Sequence, residues 1–173
     1  MARTWLSVTV ELLGGRGEEL WPWPGRVFAV GPSHTFDDLA NAINDAFARW
    51  DRSHLSMFTL ADGRVVTDTE TGAEMVESLG GPITEAVDIE SAEVARLLGL
   101  GGAEFQFTFD LGDDWTHRCV IGGDKVDPSR WWVSAPLSLC RIGGVGGAPS
   151  RTSTGAGGPT TTGRAEPRAD RAG

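Results

Sequence analysis

The chain has no tyrosine, a single lysine and two cysteines in 173 residues, and each shortage removes a class of explanation. With Lys125 the only lysine, basicity falls almost wholly to arginine. Acidic residues outnumber basic ones by 24 to 15, for a net charge of −9. Without clustered cations, non-specific binding to DNA, RNA or anionic lipid is disfavoured, because phosphate contacts require them. Cys119 and Cys140 stand far apart and form no C-x-x-C pair, so neither a disulfide nor a zinc site at the usual spacing can be argued. No apolar run approaches the roughly 18 residues that a membrane span needs. The residues after Met1 lead directly into an alternating strand rather than a signal peptide. These absences together predict a cytoplasmic protein with reduced thiols and no membrane segment.

What is present suits one soluble domain. Hydrophobic content of 40% and charged content of 23% are ordinary for a globular chain, and the length permits a core without staples. From Trp5 to Leu12, apolar Leu6, Val8, Val10 and Leu12 alternate with Ser7, Thr9 and Glu11, which predicts a half-buried strand. Gly14-Gly15-Arg16-Gly17 breaks it. The prolines of Trp21-Pro22-Trp23-Pro24 forbid a central ladder position, and Arg26–Val30 reads as a second strand pairing with the first.

Thr35 as N-cap with Asp38 three residues on forms a carboxylate capping box. Phe36, Leu39, Ala40, Ile43, Phe47 and Trp50 then recur at helical spacing, predicting an amphipathic helix from Phe36 to about Trp50. His54–Leu60 is the next strand candidate, and Asp62-Gly63 turns into Arg64–Val66. The acidic stretch Thr67–Ala86 reads as loop with one helical turn near Ala73–Leu79. Ser91–Leu98 predicts a short helix, followed by strands at Glu104–Asp110 and Trp115–Ile121.

Residues 143–173 are nearly all Gly, Ala, Thr, Pro, Ser and Arg. Such a segment buries too little area to offset its chain entropy and is expected to be disordered. Back-translation of Pro149–Gly163, read from the third codon base, permits L-P-D-Q-Y-G-R-R-W-A-D-D-D-G. That alternative text predicts a frameshift between Trp132 and Pro149.

Phe105 to Arg118, F-Q-F-T-F-D-L-G-D-D-W-T-H-R, packs strict alternation, a glycine, two adjacent carboxylates, a tryptophan and a histidine into fourteen residues. The segment resembles the signature of the plasmid pRiA4b ORF-3-like family, aromatic-x-Y/F-D-F-G-D-D-W-x-H. The Trp/Pro stretch with Arg26-Val27, the Thr35-Phe36-x-x-Leu39 helix start and Trp50-x-x-x-His54-Leu55 extend the likeness from Trp5 to about Val120. The resemblance implies an α+β domain found on plasmids and beside insertion sequences, with some members labelled transposon passengers or resolvases, and no activity established. It also implies a C-terminal P-D-Q-Y-G-R-like or Cys-rich segment that this chain lacks in its own frame.

Two readings of the signature stand side by side. Asp110, Asp113 and Asp114 near a histidine could hold a divalent cation or act as acid and base. Alternatively the aspartates build a turn by accepting bonds from nearby backbone N–H groups, which is the preferred reading. Asp113 and Asp114 are neighbours, so on a regular strand they would face opposite ways. His117 shares a strand face with Trp115, Cys119 and Ile121 and reads as structural. His54, just past the helix, could meet it and make a minimal metal site. Trp21, Trp23, Trp131 and Trp132 lack the surrounding cations for stacking on bases and read as packing around proline. A resolvase would need a nucleophilic serine amid arginines and a basic segment, which is not seen.

The expectation is one α+β domain over residues 1–139, its mixed or antiparallel sheet packed on one main helix, with a β-grasp-like layout as one candidate. A disordered tail spans 140–173. The leading function is a non-enzymatic binding or accessory module of mobile-element origin, with an unknown protein partner and no cofactor. Its candidate ligand-binding residues are Asp113, Asp114, Trp115, His117 and His54. The alternative is a metal-dependent hydrolase or nuclease using the same segment. Three alternate phenylalanines, Phe105, Phe107 and Phe109, are expected to turn inward onto the early helix.

Overall fold

Residues 5–79, 85–99, 102–127 and 139–141 are described by the computed structural model. In chain order the elements are β1 (Trp5–Gly15), β2 (Glu18–Glu19), β3 (Gly25–Val30), α1 (Phe36–Ala46), β4 (Ser56–Leu60) and β5 (Arg64–Thr67). There follow α2 (Thr69–Leu79), β6 (Glu85–Asp88), α3 (Val94–Leu98), β7 (Glu104–Phe109), β8 (Trp115–Val126) and β9 (Leu139–Arg141). The fold class is α+β. One mixed sheet runs β6-β5-β4-β7-β8-β1-β3-β9, with β2 paired to β1. The β5–β6 and β3–β9 pairs are parallel and the others antiparallel.

Alternation decides which face of the sheet is covered. Leu6, Val8, Val10 and Leu12 of β1 are buried, as are Phe28 and Val30 of β3, Phe58 and Leu60 of β4, and Cys119 and Ile121 of β8. Phe105, Phe107 and Phe109 all turn inward, as their spacing requires. Helix α1 lies over this layer through Phe36, Leu39, Ala40 and Ile43. The Phe36 ring stands edge-on to Phe58 at 4.9 Å and to Phe105 at 6.2 Å. Burying each such ring contributes about 1.5–3 kcal/mol, so the late hairpin and the early helix share one core.

The capping box forms as written in the sequence. Thr35 Oγ1 accepts from the Asp38 amide at 3.2 Å, and Asp38 Oδ2 accepts from the Thr35 amide at 3.0 Å. The far end of α1 corrects the sequence reading. The helix stops at Ala46, and Ala48 takes φ +58°, a left-handed conformation that swings the chain off the helix axis. Phe47 still packs on the core, but Trp50 is carried outward to 88% exposure instead of completing the apolar stripe.

Three further differences concern short or weakly patterned elements. Helix α2 spans eleven residues where one turn was expected, and the Asp68 carboxylate accepts from the Thr71 amide at 2.9 Å at its start. Helix α3 begins at Val94, because Ser91 bonds back to Asp88 instead of capping it. Strand β6 carries no alternating pattern and exists by parallel pairing to β5. A single main helix is therefore too simple a description, although α1 is the one that seals the core. The Gly/Thr/Arg-rich segment from 142, with its expected disorder and frameshift, lies outside the described residues, as do Trp131 and Trp132.

Candidate functional site

The β7–β8 hairpin closes through Asp110-Leu111-Gly112-Asp113-Asp114, at the same end of the sheet as the C-terminal end of α1. Asp110 adopts φ +57° and Asp114 φ +51°, conformations uncommon outside glycine that Asp tolerates better than most residues. The Asp110 carboxylate holds the turn: Oδ1 accepts from the Gly112 amide at 3.0 Å and the Asp113 amide at 3.3 Å. The Asp114 amide donates to the Asp110 carbonyl at 2.7 Å, and the Asp110 amide donates to Leu55 at 2.9 Å. This is the turn-building alternative, with Asp110 as the residue that carries it.

The two adjacent carboxylates diverge. Asp113 Oδ2 accepts from Arg16 Nε at 2.7 Å, and this guanidinium holds its carboxyl below the ordinary carboxylate range. Asp114 Oδ1 accepts from Thr116 Oγ1 at 3.1 Å. The Arg16–Asp113 pair is largely exposed, so it registers the β1–β2 turn against the hairpin more than it stabilises the fold.

Trp115 sits between these charges. Its indole lies over Gly15, where any Cβ would run into the ring, which explains a glycine in the middle of that β1 end. The Arg49 guanidinium stacks on the indole at 3.8 Å and Arg16 stands at 5.9 Å from its centroid. Such stacking is worth about 0.5–2 kcal/mol, more when desolvated. Burial, then the nearby Arg16 charge, pulls the Arg49 pKa down. Arg26 covers Phe47 in the same manner at 5.5 Å. Arg16 and Arg49 were not named as site residues from the sequence, and Arg26 entered only through the family resemblance; the rings they cover lie far off in the chain, so local periodicity carries no signal of them.

His117 belongs to the core and not to a surface site. It has no exposed area; its ring lies 5.0 Å from Phe47 and 5.3 Å from Phe107. Nδ1–H donates to the Phe107 carbonyl at 3.3 Å, which sets the tautomer. Nε2 meets no donor among the described residues. Burial pushes its pKa down to about 4, so the ring is neutral at ordinary pH.

His54 stays outside and does not meet His117. It lies 3.3 Å from Asp51 Oδ2 through Nε2 and 3.3 Å from Asp110 Oδ2 through Nδ1, with Phe109 edge-on beside it at 5.9 Å. Among the described residues no three of His, Cys, Asp and Glu group closely enough to hold a metal ion. The site therefore brings together His54 with Asp110, and Trp115 with Asp113 through Arg16; it separates Asp114 and His117 from both. Around them the strand registers place Trp21 and Trp23 near the Leu12–Leu13 end of β1, since the Leu12 amide donates to Pro24 and the Leu20 amide to Leu13. The Trp21 and Trp23 rings meet edge-on at 5.3 Å. Trp21 and Trp23 thus lie towards the same end of β1 as Trp115, which covers Gly15.

Comparison with known proteins gives a family and a fold. The family model described as "Plasmid pRiA4b ORF-3-like protein" matches residues 6–158. A crystal structure of a protein of unknown function from Methanosarcina mazei Go1 is similar with TM-score 0.54 and 18% identity, over 74% of this chain. The matched part spans 65% of that protein's length, and at this identity the likeness concerns the fold alone. No curated protein matches the chain.

Proposed function

We propose a function for a chain that belongs to the plasmid pRiA4b ORF-3-like family, the match covering most of its length: it is a non-enzymatic binding or accessory module of mobile-element origin. The observation that carries this reading is how the signature segment is used. Asp110 and Asp113 are engaged by backbone amides and Arg16, Asp114 by Thr116, and His117 by the core. Two indoles stand out in solvent: Trp21 is 79% exposed and Trp50 88%. Exposed indoles beside arginines are the residue types that carry binding energy in interfaces. In this reading a protein partner contacts Trp21, Trp50 and the rim formed by His54, Asp113 and Asp114. The net charge of −9 argues against nucleic acid as that partner. Among the described residues no helix is long and apolar enough to cross a membrane. A cytoplasmic location and a division into a body at 1–139 and a tail at 140–173 belong to the same proposal.

The alternative, a metal-dependent hydrolase or nuclease, makes a different demand. Melting temperature is followed while Mg2+, Mn2+ or Zn2+ is titrated into the full chain, its Asp114→Ala variant and its His54→Ala variant. A module shows no metal shift that depends on those side chains. Metal stabilisation abolished by either substitution favours the hydrolase and ends the module reading.

A further inference from the structure

The loop that leaves α1, residues 47–55, carries the exposed Trp50 and leads into β4. Two contacts tie it to the β7–β8 hairpin: Arg49 lies on Trp115, and the Asp110 amide donates to the Leu55 carbonyl. A further contact runs through His54, and of the three it is the one that depends on a proton. Nε2 faces Asp51 Oδ2 within the loop, and Nδ1 faces Asp110 Oδ2 in the signature turn, each at 3.3 Å. In both carboxylates Oδ1 is occupied locally, by Ser53 at Asp51 and by the Gly112 and Asp113 amides at Asp110. Oδ2 is the oxygen left for the ring.

An imidazole set between two carboxylates satisfies both only as the imidazolium. The charged ring has two N–H donors, whereas the neutral ring has one donor and one acceptor. A neutral ring therefore turns a lone pair towards one carboxylate, and that contact becomes repulsive. The two partners are not equivalent. Side-chain exposure is 41% at Asp51 and 18% at Asp110, and attraction is stronger where water screens it less. Asp51 is thus the partner that the neutral ring gives up. The other charges near the ring do not replace this pair. Asp113 faces His54 but is engaged by Arg16. Asp37, Asp68, Glu90 and Arg52 line the same cleft as His54, and Arg52 is engaged by Asp45.

We propose that His54 is a proton-dependent clasp between the Trp50 loop and the signature turn: protonated, it bridges Asp51 and Asp110; neutral, it keeps Nδ1–H on Asp110 and releases Asp51. The inference does not rest on the module reading, because every contact lies within the chain. Nitrogen NMR of the His54 ring and solvent exchange of the Ser53 amide, in the full chain at about pH 5 and about pH 8, test it across the range in which histidine titrates. At the higher pH the remaining ring proton is expected on Nδ1. The Ser53 amide is expected to exchange about threefold faster there, once the intrinsic rise is removed, the factor that a surface ion pair supplies. In His54→Gln that difference is expected to vanish. In Asp110→Asn the preference for Nδ1–H is expected to vanish; should that variant not fold, His54→Gln decides alone. His117 does not supply the signal, since its burial destabilises the fold as pH falls, not as it rises. A ring proton on Nε2 at the higher pH, no change at Ser53 in the parent chain, the same change in His54→Gln, or a retained Nδ1–H preference in Asp110→Asn overturns the proposal.

Discussion

The two halves of the signature segment obey different physics. In Phe105–Phe109, alternate side chains enter the core and the energy is non-directional burial. In Asp110–Asp114, almost nothing is buried; two residues hold positive φ and the order comes from directional bonds to one carboxylate. The density of the motif thus reflects two structural demands placed end to end, a ladder that must pack and a turn that must reverse it. Acidic residues beside a histidine look like chemistry when read as a string. In three dimensions His117 belongs to the first half and the aspartates to the second.

The comparison breaks most visibly at Phe107. Phe107→Ala is expected to cost about 3–5 kcal/mol, the range for emptying a packed aromatic site, measured by urea unfolding. A loss below about 1 kcal/mol would mean that the hairpin does not share the α1 core.

His117 sharpens the same division through pH. Its pKa is about 6.5 in an unfolded chain and about 4 in the fold, lowered chiefly by burial. Protons therefore bind the unfolded state first. The contribution of the neutral ring is fully present above pH ~6.5 and is lost as pH falls towards ~4, by about 3 kcal/mol in all. Denaturation across that window should show the decline in the parent chain and a flatter profile in His117→Leu. Parallel profiles would place the histidine in water.

The turn half predicts a smaller effect. Asp110→Ala removes an acceptor serving two amides and leaves alanine at φ +57°, at a cost of about 1–2 kcal/mol. Asp110→Asn keeps an acceptor and tolerates the conformation better, so it should lose less. If both variants melted with the parent, measured by calorimetry, the carboxylate would not be organising the turn.

Much of the ladder half was legible in the string. Period two placed Leu6, Val8, Val10 and the three phenylalanines on the covered face, and the Thr35–Asp38 box marked the start of α1, because both signals act within a few residues. The end of α1 was not legible. Trp50 fits the helical period, yet Ala48 turns left-handed and sends it to solvent. Strand β6 was missed for a related reason, since its order comes from parallel pairing with β5 and not from its own pattern.

The candidate site divides along the same line. Sequence reasoning named Asp113, Asp114, Trp115, His117 and His54, and weighed a turn role for the aspartates. It could not see that Arg16, 97 residues from Asp113, would claim that carboxylate, or that Arg49 would lie on Trp115.

By itself, then, the order of residues determined the inward faces of the strands and where the main helix begins. Only the folded arrangement decided which charges meet, which histidine is dry and which tryptophans face water. The physical reason is range: periodicity and capping are settled within one or two turns of chain. Pairings such as Arg16 with Asp113 depend on how distant elements come to lie side by side.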